Sequence, residues 1–251
     1  GTESTLAERD LGAGHETILS GDIDQDGTFG SNSYHVLFFN GGYGVGQDVV
    51  DVGVTTATVL DGVTVTGGQA DDEGLDTPSN RGGGGLYCDG ESNAILLSAS
   101  NSECSPTIRN ATFVGNTANA GGAIYNSVRY WAQSSPRLIN VIFIGNTAGQ
   151  GGAVFNSLVR GALRPQITNA TFVGNTATTG GAIYNLAVNG TVRPQITNAT
   201  FVDNTATTGG AIYNSSGSTS AANGVIDLQI TNSILWGNGD GVFNTNFTPQ
   251  Y

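Results

Sequence analysis

A repeat of about 30 residues constrains the fold of this chain more than any other feature of its sequence. Phe113, Phe143, Phe172 and Phe201 occupy the same place in four nearly identical segments, at spacings of 30, 29 and 29 residues. Each segment continues through a Gly-Gly pair into Ala-Ile-Tyr-Asn or Ala-Val-Phe-Asn, and a degenerate fifth copy runs over 229–244. Self-similarity at this period indicates a solenoid, in which each repeat stacks on its neighbours.

The residue types inside each repeat favour strands over helices. Short runs such as Ile167-Thr168 and Thr171-Phe172-Val173 are rich in β-branched and aromatic residues and are separated by Gly and Asn. One repeat is therefore expected to form one coil, with equivalent residues stacked at the strand spacing of about 4.8 Å. Connections between parallel strands are strongly right-handed. The sequence thus predicts an all-β, right-handed parallel β-helix.

The repeats also predict how the chain is organised. We expect a single β-helix domain over residues 1–251, with about seven to eight coils. Its expected parts are irregular acidic coils in 1–103, five regular coils in 104–244 and a tail at 245–251. Residues 60–70 and 83–88 match parts of the repeat, and an acidic insertion, 71–80, separates them.

Equivalent positions of the repeats predict ladders of identical or similar side chains. Two ladders are apolar and face the core: Phe113, Phe143, Phe172, Phe201 and Leu235, then Ile124, Val154, Ile183, Ile212 and Val242. Two asparagine ladders lie at turns: Asn116, Asn146, Asn175, Asn204 and Asn238, then Asn126, Asn156, Asn185, Asn214 and Asn244. Stacked amides can hydrogen-bond to one another from coil to coil. The segments after the second asparagine ladder vary between repeats, which predicts loops on a binding side at 127–134, 157–163 and 186–192.

Charge is distributed unevenly along the chain. Residues 1–103 carry 17 acidic side chains and two arginines, a net charge of −15, whereas residues 104–251 carry three and six, a net charge of +3. An acidic protein repels phosphate backbones, so no nucleic-acid partner is expected. No apolar run approaches the length of about 18 residues that a transmembrane helix needs. Cys88 and Cys104 are the only cysteines. They suit a disulfide in an extracellular protein, with two buried thiols as the alternative.

The strand of the phenylalanine ladder predicts an apolar stripe on the outside of the solenoid. Residues on either side of each inward residue point outward, because side chains alternate along a strand. These outward residues are Thr112, Val114, Ile142, Ile144, Thr171, Val173, Thr200, Val202, Ile234 and Trp236. A contiguous apolar patch of this kind is unusual on a monomer. It is a candidate assembly face, covered by the chain's own N-terminal region, by a second subunit or by a ligand.

Asp22, Asp24 and Asp26 form the sharpest motif for a ligand. Three carboxylates at alternate positions followed by Gly27 match the opening of a calcium loop. The twelfth position is Ser33 rather than the Glu of an EF-hand, and Asp48 or Asp51 is a candidate to complete the shell. The motif predicts calcium, with a solvated acidic turn as the alternative.

Catalysis is the alternative reading of the acidic residues. Asp71, Asp72, Glu73 and Asp76 form a cluster in the insertion, and paired carboxylates can hydrolyse glycosidic bonds. These residues lie in one Gly-rich loop rather than on stacked coils, and the chain has no lysine to act as a base. The sequence therefore predicts no catalytic residue and no enzyme.

The Phe-Val-Gly-Asn and Gly-Gly-Ala-Ile units of the repeats resemble the paired FxxN and GGAI repeats of polymorphic outer-membrane proteins. Segments 18–27, 33–36, 60–68 and 232–238 resemble parts of bacterial surface proteins of the parallel β-helix or choice-of-anchor type. The resemblance implies export together with attachment or adhesion, and it brings no catalytic residues.

The expected function is therefore that of a non-catalytic extracellular or cell-surface scaffold, structural or adhesin-like. Its expected partners are further copies of itself, by end-to-end or lateral association into fibres or sheets, or cell-surface glycans. A carbohydrate-active β-helix enzyme, hydrolase or lyase, and a glycan-binding module are the alternatives.

Overall fold

A computed structural model describes residues 16–27, 32–41, 53–71, 82–91, 102–219 and 222–245 of the chain. These residues form strands and turns, with no helix among them. The strands of the first half of the chain are β1 (Thr17–Ser20), β2 (Leu37–Asn40), β3 (Val59–Asp61), β4 (Val63–Thr66), β5 (Gln69–Ala70), β6 (Leu86–Glu91), β7 (Thr107–Val114), β8 (Thr117–Ala120), β9 (Ile124–Arg129), β10 (Gln133–Ser134) and β11 (Arg137–Ile144). Those of the second half are β12 (Thr147–Gln150), β13 (Val154–Leu163), β14 (Gln166–Thr168), β15 (Thr171–Val173), β16 (Thr176–Thr179), β17 (Ile183–Val192), β18 (Gln195–Thr197), β19 (Thr200–Val202), β20 (Ile212–Thr219), β21 (Ala222–Asn223), β22 (Val225–Ile226), β23 (Gln229–Thr231), β24 (Ile234–Trp236) and β25 (Val242–Thr245).

The strands stack into three parallel sheets, which makes the described part of the chain a parallel β-solenoid. The first sheet follows the order β1-β4-β7-β11-β14-β18-β23. A second path in the same sheet branches from β11 and follows β15-β19-β24. The second follows β2-β6-β9-β13-β17-β20, and the third follows β16-β12-β8-β5. In the regular coils each pair joins strands about one repeat apart, as when Phe143 pairs with both Phe113 and Phe172. The N-terminal coils are longer, since Thr17 pairs with Val63 and Leu37 pairs with Leu86. The predicted all-β parallel fold is confirmed.

The expected number of seven to eight coils is too high. A complete turn needs a strand in all three sheets, and the third sheet has four strands among the described residues. In the first coil the Ser33 N–H donates to the Gly21 carbonyl at 2.8 Å, so the chain positions before and after residues 22–32 lie side by side. In a later coil, isolated bridges at Thr205 and Thr208 replace the third strand. The structure therefore has about four complete turns, with incomplete coils around them.

The two predicted core ladders are confirmed. The four phenylalanine side chains are 0% exposed, and the rings of Phe143, Phe172 and Phe201 stack with centroids 4.7 and 4.6 Å apart. Ile124, Val154, Ile183 and Ile212 are buried against them in the same core. The ladder ends, Leu235 and Val242, are only partly buried. Burial of these side chains is the main force that holds one coil on the next.

Both predicted asparagine ladders are also confirmed. In the first, Asn146 and its neighbours are buried, and each side-chain oxygen accepts bonds from both the backbone and the side-chain amide of the preceding rung. In the second, each side-chain amide donates to the oxygen of the next rung at 2.7–2.8 Å. The first ladder lies at turns as predicted, but the second lies within strands of the second sheet, with Asn126 in β9 and Asn156 in β13, and not at a corner. In both ladders the bonds satisfy polar groups that are closed to water, which is a requirement for burying them.

A third asparagine ladder lies on the surface and was missed in the sequence. All five members have a left-handed backbone, with φ between 48° and 55°, and each side-chain amide donates to the preceding rung. They are Asn110, Asn140, Asn169, Asn198 and Asn232. The signal was present, because each Asn stands three residues before the core Phe or Leu. Asparagine tolerates this conformation better than other residues with a side chain.

The Gly-Gly pairs mark a corner where backbones of adjacent coils come too close for a side chain. A Cβ on Gly152 would lie 2.2 Å from the carbonyl oxygen of Gly181, and a Cβ on Gly181 would lie 2.2 Å from that of Gly210. The preceding glycine has a left-handed φ, 63° at Gly151. Only glycine satisfies both requirements without strain.

The variable segments 157–163 and 186–192 are strands, not the loops that the sequence predicted, whereas 127–134 holds a turn at Tyr130 and Trp131 between the end of β9 and β10. β13 and β17 run without a break through 157–163 and 186–192, and they pair with each other over nine residue positions. Their inward residues form a second apolar cluster with Val128, Leu158, Leu163, Ala187 and Val192 at its centre. The apolar alternation of these segments was hidden by their differences in sequence, because their inward positions accept Val, Leu or Ala interchangeably.

An aromatic ladder on the outside of the second sheet completes the packing. Register places Phe38, Tyr87, Tyr125, Phe155, Tyr184, Tyr213 and Phe243 in one row, with successive ring centroids 4.9–5.5 Å apart. The four rings from Tyr87 to Tyr184 are at most 7% exposed. Gly82, the residue before the Gly-Gly pair of its coil, also packs against them, since a Cβ on it would lie 2.0 Å from the ring of Tyr125. These rings are therefore packing residues and not an open binding platform.

Candidate functional site

The structure brings the ten predicted assembly-face residues together on the outside of the first sheet. Register places them in two rows of adjacent ranks, which Thr64 and Thr66 extend by one rank toward the N-terminus. One row contains Thr112, Ile142, Thr171, Thr200 and Ile234, and the other contains Val114, Ile144, Val173, Val202 and Trp236. We call these two rows the outer stripe. Its role in assembly stays a prediction.

Exposure is highest at the second and at the last of the five ranks of the outer stripe. Ile142 and Ile144 are each 41% exposed, Ile234 is 63% exposed and Trp236 is 73% exposed. Neither row contains a charged residue. The stripe is therefore an uncharged surface with large apolar side chains in water, which is unfavourable unless something covers it.

Asp22, Asp24 and Asp26 lie together in the loop between Gly21 and Ser33. One carboxylate oxygen from each lies within 4.8 Å of the other two. The Gly27 N–H donates to Asp22 Oδ2 at 3.2 Å, whereas Asp22 Oδ1 is shielded from solvent and has no hydrogen-bond partner. An unpaired, shielded carboxylate oxygen beside two further carboxylates fits the oxygen ligands that calcium takes. Calcium binding stays a prediction, and Asp48 and Asp51 lie outside the described residues.

The two cysteines are joined in the structure, with Cα atoms 5.8 Å apart. Cys88 stands in register with Asn126, one rung before the second asparagine ladder begins. Cys104 pairs with Val54 at an isolated bridge. The bond therefore ties the second sheet to the segment that enters β7. Of the acidic insertion, Asp71 alone is described, so a cluster with Asp72, Glu73 and Asp76 lies outside the described residues.

A polar cluster that sequence reasoning missed lies on the outer face of β6 and β9. Asp89 and Glu91 point outward from β6, beside Ser127 and Arg129 of β9. Arg129 Nε lies 3.1 Å from Glu91 Oε1, and the Glu91 N–H donates to Asp89 Oδ1 at 2.9 Å. No sequence motif predicts the cluster, because its residues meet only through the register between strands that are more than 30 residues apart.

Burial is the main reason why the pKa of Asp89 is shifted. It raises the pKa of Asp89 to about 6, and the charge of Glu91 adds to the shift, while the hydrogen bond from the Glu91 backbone opposes it. Burial also raises the pKa of Tyr87 and of Tyr125 in the adjacent aromatic ladder. Asp89 thus keeps a proton at a pH where an exposed aspartate has lost it.

We expect Asp89→Asn to stabilise the protein at pH 7 by about 1–2 kcal/mol, a value reduced for the partial exposure of Asp89. The folded carboxyl loses its proton near pH 6, whereas the unfolded one loses it near pH 3.8. Between these values the folded state binds more protons, so the native stability falls as the pH rises. Urea unfolding from pH 4 to pH 7 should show this fall in the native chain and its loss in the variant. An unchanged slope in Asp89→Asn, or equal stabilisation by Asp240→Asn at an exposed turn, would contradict the expectation.

The comparisons with known proteins agree with this architecture. The family model for the Chlamydia polymorphic membrane protein repeat matches residues 110–127, 140–157, 169–186 and 198–215. Each match starts at the surface asparagine ladder, passes the core phenylalanine and ends one residue after the second asparagine ladder. No curated protein and no solved structure matches the chain.

In these repeats and in its parallel β-solenoid, the chain is similar to polymorphic outer-membrane-protein-like parallel β-helix surface proteins. The repeat residues that define this class are the ones that form the core, the ladders and the glycine corner. Within the described ranges, nothing forms a helix with the length and hydropathy of a membrane span.

Proposed function

We propose that this chain is a non-catalytic, adhesin-like scaffold exposed at the cell surface or outside the cell. The proposal is supported by the role of the matched repeats in the fold. Their side chains pack in the core or form hydrogen bonds at the turns of the solenoid, as expected for a scaffold. A rod of this kind presents long outer faces to its surroundings. Solenoids use such extended surfaces to bind partners.

A second copy of the chain is the partner that we propose for the outer stripe. With the rank of Thr64 and Thr66, the stripe spans six ranks, or about 24 Å at the usual strand spacing. It is flat because its residues stack in register, and two sheets of this kind pack face to face about 10 Å apart. A stripe two residues wide buries less area than a standard interface, so we expect weak lateral association that strengthens when many copies are aligned.

Sedimentation velocity at increasing protein concentration tests this proposal. We expect the native chain to associate and the double variant Ile144→Asp, Val173→Asp to stay monomeric, because it places charges at two paired ranks in the centre of the stripe. The matched control, Thr147→Asp with Thr176→Asp, places the same charges at paired ranks of the third sheet. A native chain that remains monomeric, or a control that dissociates equally, would refute lateral assembly.

We propose that calcium stiffens the loop of Asp22, Asp24 and Asp26. The shielded, unpaired Asp22 Oδ1 supports this role, since a cation would satisfy it. Calorimetric titration with CaCl₂ should give a binding isotherm for the native chain, and Asp24→Asn with Asp26→Asn should abolish it. Absence of binding by the native chain would leave a solvated acidic turn as the correct description.

A carbohydrate-active enzyme is the second candidate, and the raised pKa of Asp89 next to Glu91 is the observation that favours it. A protonated carboxyl near a carboxylate is the pair that glycoside hydrolysis requires. Two observations argue against an enzyme: Glu91 forms an ion pair with Arg129, and Asp89 and Glu91 lie on the same strand rather than on facing elements. Release of reducing ends from acidic polysaccharides by the native chain, abolished by Asp89→Asn, would establish the enzyme and overturn the scaffold proposal.

A further inference from the structure

The corner after β9 differs from the equivalent corners of the next two coils. Tyr130 and Trp131 both have a left-handed backbone, with φ of 56° and 71°. The next coils make the same bend with Arg160-Gly161 and Asn189-Gly190, and they use one residue fewer between the paired positions. Asn and Gly suit this conformation, whereas bulky aromatic residues are outliers there. The bend at Tyr130 and Trp131 thus holds two residues with side chains in this conformation, whereas each of the next two bends holds one, Arg160 or Asn189, followed by a glycine.

Burial does not explain the exposed Trp131. Trp131 is 65% exposed and Tyr130 is 41% exposed, while the next residue, Ala132, is buried in the second apolar cluster. Trp131 makes no ring contact with any residue of the described ranges. An unfavourable backbone without compensating burial is typical of residues kept for an interaction outside the fold.

Arg160 of the next coil stands beside the aromatic pair in the backbone register. The Trp131 N–H donates to the Arg160 carbonyl at 3.1 Å and the Tyr130 N–H donates to that of Val159 at 3.3 Å, which aligns Arg160 with Tyr130 one strand spacing away. The Arg160 side chain is exposed and has no hydrogen bond or salt bridge to a described residue. By contrast, Arg129 lies 3.1 Å from Glu91 and Arg193 lies 3.6 Å from Asp227.

These features together point to one class of ligand. The flat faces of Trp and Tyr stack on the apolar face of a pyranose ring, and an uncommitted arginine binds a carboxylate or sulfate through two parallel hydrogen bonds. The patch covers two ranks of one corner, which suits a saccharide and is far smaller than the area of about 800 Å² per partner of a protein interface. Residues 104–251 also carry a net charge of +3 in a chain whose total is −12.

We propose that Tyr130, Trp131 and Arg160 form a binding site for an acidic glycan, one that carries uronate or sulfate groups. The site lies at the corner of the second sheet, away from the outer stripe. It names a ligand class for the proposed adhesin-like role and rests on that role, but not on lateral assembly.

A glycan array of uronate-containing and sulfated oligosaccharides, with their neutral counterparts, tests the site on the whole chain. We expect binding to acidic glycans, and a loss of at least tenfold in Trp131→Ala and in Arg160→Gln. The control Trp236→Ala removes the other tryptophan and should bind glycans normally while weakening lateral assembly. Circular dichroism of each variant checks folding, and Trp131→Gly is a second variant that suits the left-handed φ.

Trp131 also provides a direct optical readout. In Trp236→Phe it is the remaining tryptophan, since the chain has two, so a bound acidic oligosaccharide should shift its emission. Three outcomes would overturn the site: no acidic glycan binds, neutral glycans bind equally well, or the Trp131 and Arg160 variants bind like the native chain. Loss of acidic-glycan binding in these variants while Trp236→Ala binds normally would support the site even if sedimentation finds no lateral assembly.

Discussion

Asn175→Ala is expected to lower the free energy of unfolding by about 4 kcal/mol, because it leaves several buried polar groups without partners. Asn175 Oδ1 accepts from both the backbone and the side chain of Asn146, each at 3.0 Å. Its Nδ2 donates to Asn204 Oδ1 at 2.9 Å and to the Phe143 carbonyl at 3.1 Å. Alanine removes all four bonds at a site that is 0% exposed, where water cannot replace them.

Urea unfolding followed by far-UV circular dichroism measures the loss, and hydrogen exchange shows whether it is centred on the coils around residue 175. Asn169→Gly is the matched control, since Asn169 belongs to the surface ladder and has φ of 54°. Glycine accepts this φ and water replaces the lost bonds, so the control should cost less than about 1 kcal/mol. Equal losses in the two variants would show that burial of the amide ladder is unimportant to stability.

Phe172→Ala is expected to cost about 4 kcal/mol, through lost burial and the cavity that remains. The ring is 0% exposed and is stacked between Phe143 and Phe201 at 4.7 and 4.6 Å. Both neighbours are themselves held in register by strand pairing, so they have little freedom to fill the gap. Because each coil is stabilised by its neighbours, the variant should also reduce cooperativity, seen as a shallower or two-step transition.

Val173→Ala is the control for the phenylalanine ladder, since it shortens the adjacent side chain on the outer face. Val173 is only partly buried, and its loss should cost less than about 1 kcal/mol. Thermal and urea unfolding of both variants provide the comparison. A cost for Val173→Ala close to that for Phe172→Ala would mean that the outer stripe is covered in solution and would favour the proposed association.

The fold was predictable because the same residue types recur at the same place in each coil. Stacking equivalent residues at one strand spacing leaves little choice of which side chains face inward, so the phenylalanine and asparagine ladders followed from the period alone. The strands of the variable segments were not predictable in this way, because their equivalent positions carry different residues. Val128, Leu158 and Ala187 share an inward position in the second cluster although their sizes differ.

The candidate sites were predictable to a smaller degree. The aspartates at 22, 24 and 26 are close in sequence, and so their proximity in space needed no knowledge of the fold. The outer stripe needed only the alternation of side chains along a strand. The raised pKa of Asp89 and the neighbours of Trp131 could not be predicted from the sequence, because both depend on residues of other coils.

The sequence by itself therefore determined the solenoid, its repeating core and the face on which the outer stripe lies, since a regular period fixes the neighbours of each residue. Tertiary structure alone decided the number of complete turns, the strand character of the variable segments, the raised pKa of Asp89 and the pairing of Tyr130 with Arg160. These features depend on where insertions lengthen or shorten individual coils. Each insertion changes which side chains meet across ranks, and that register is a property of the stacked coils rather than of any single repeat.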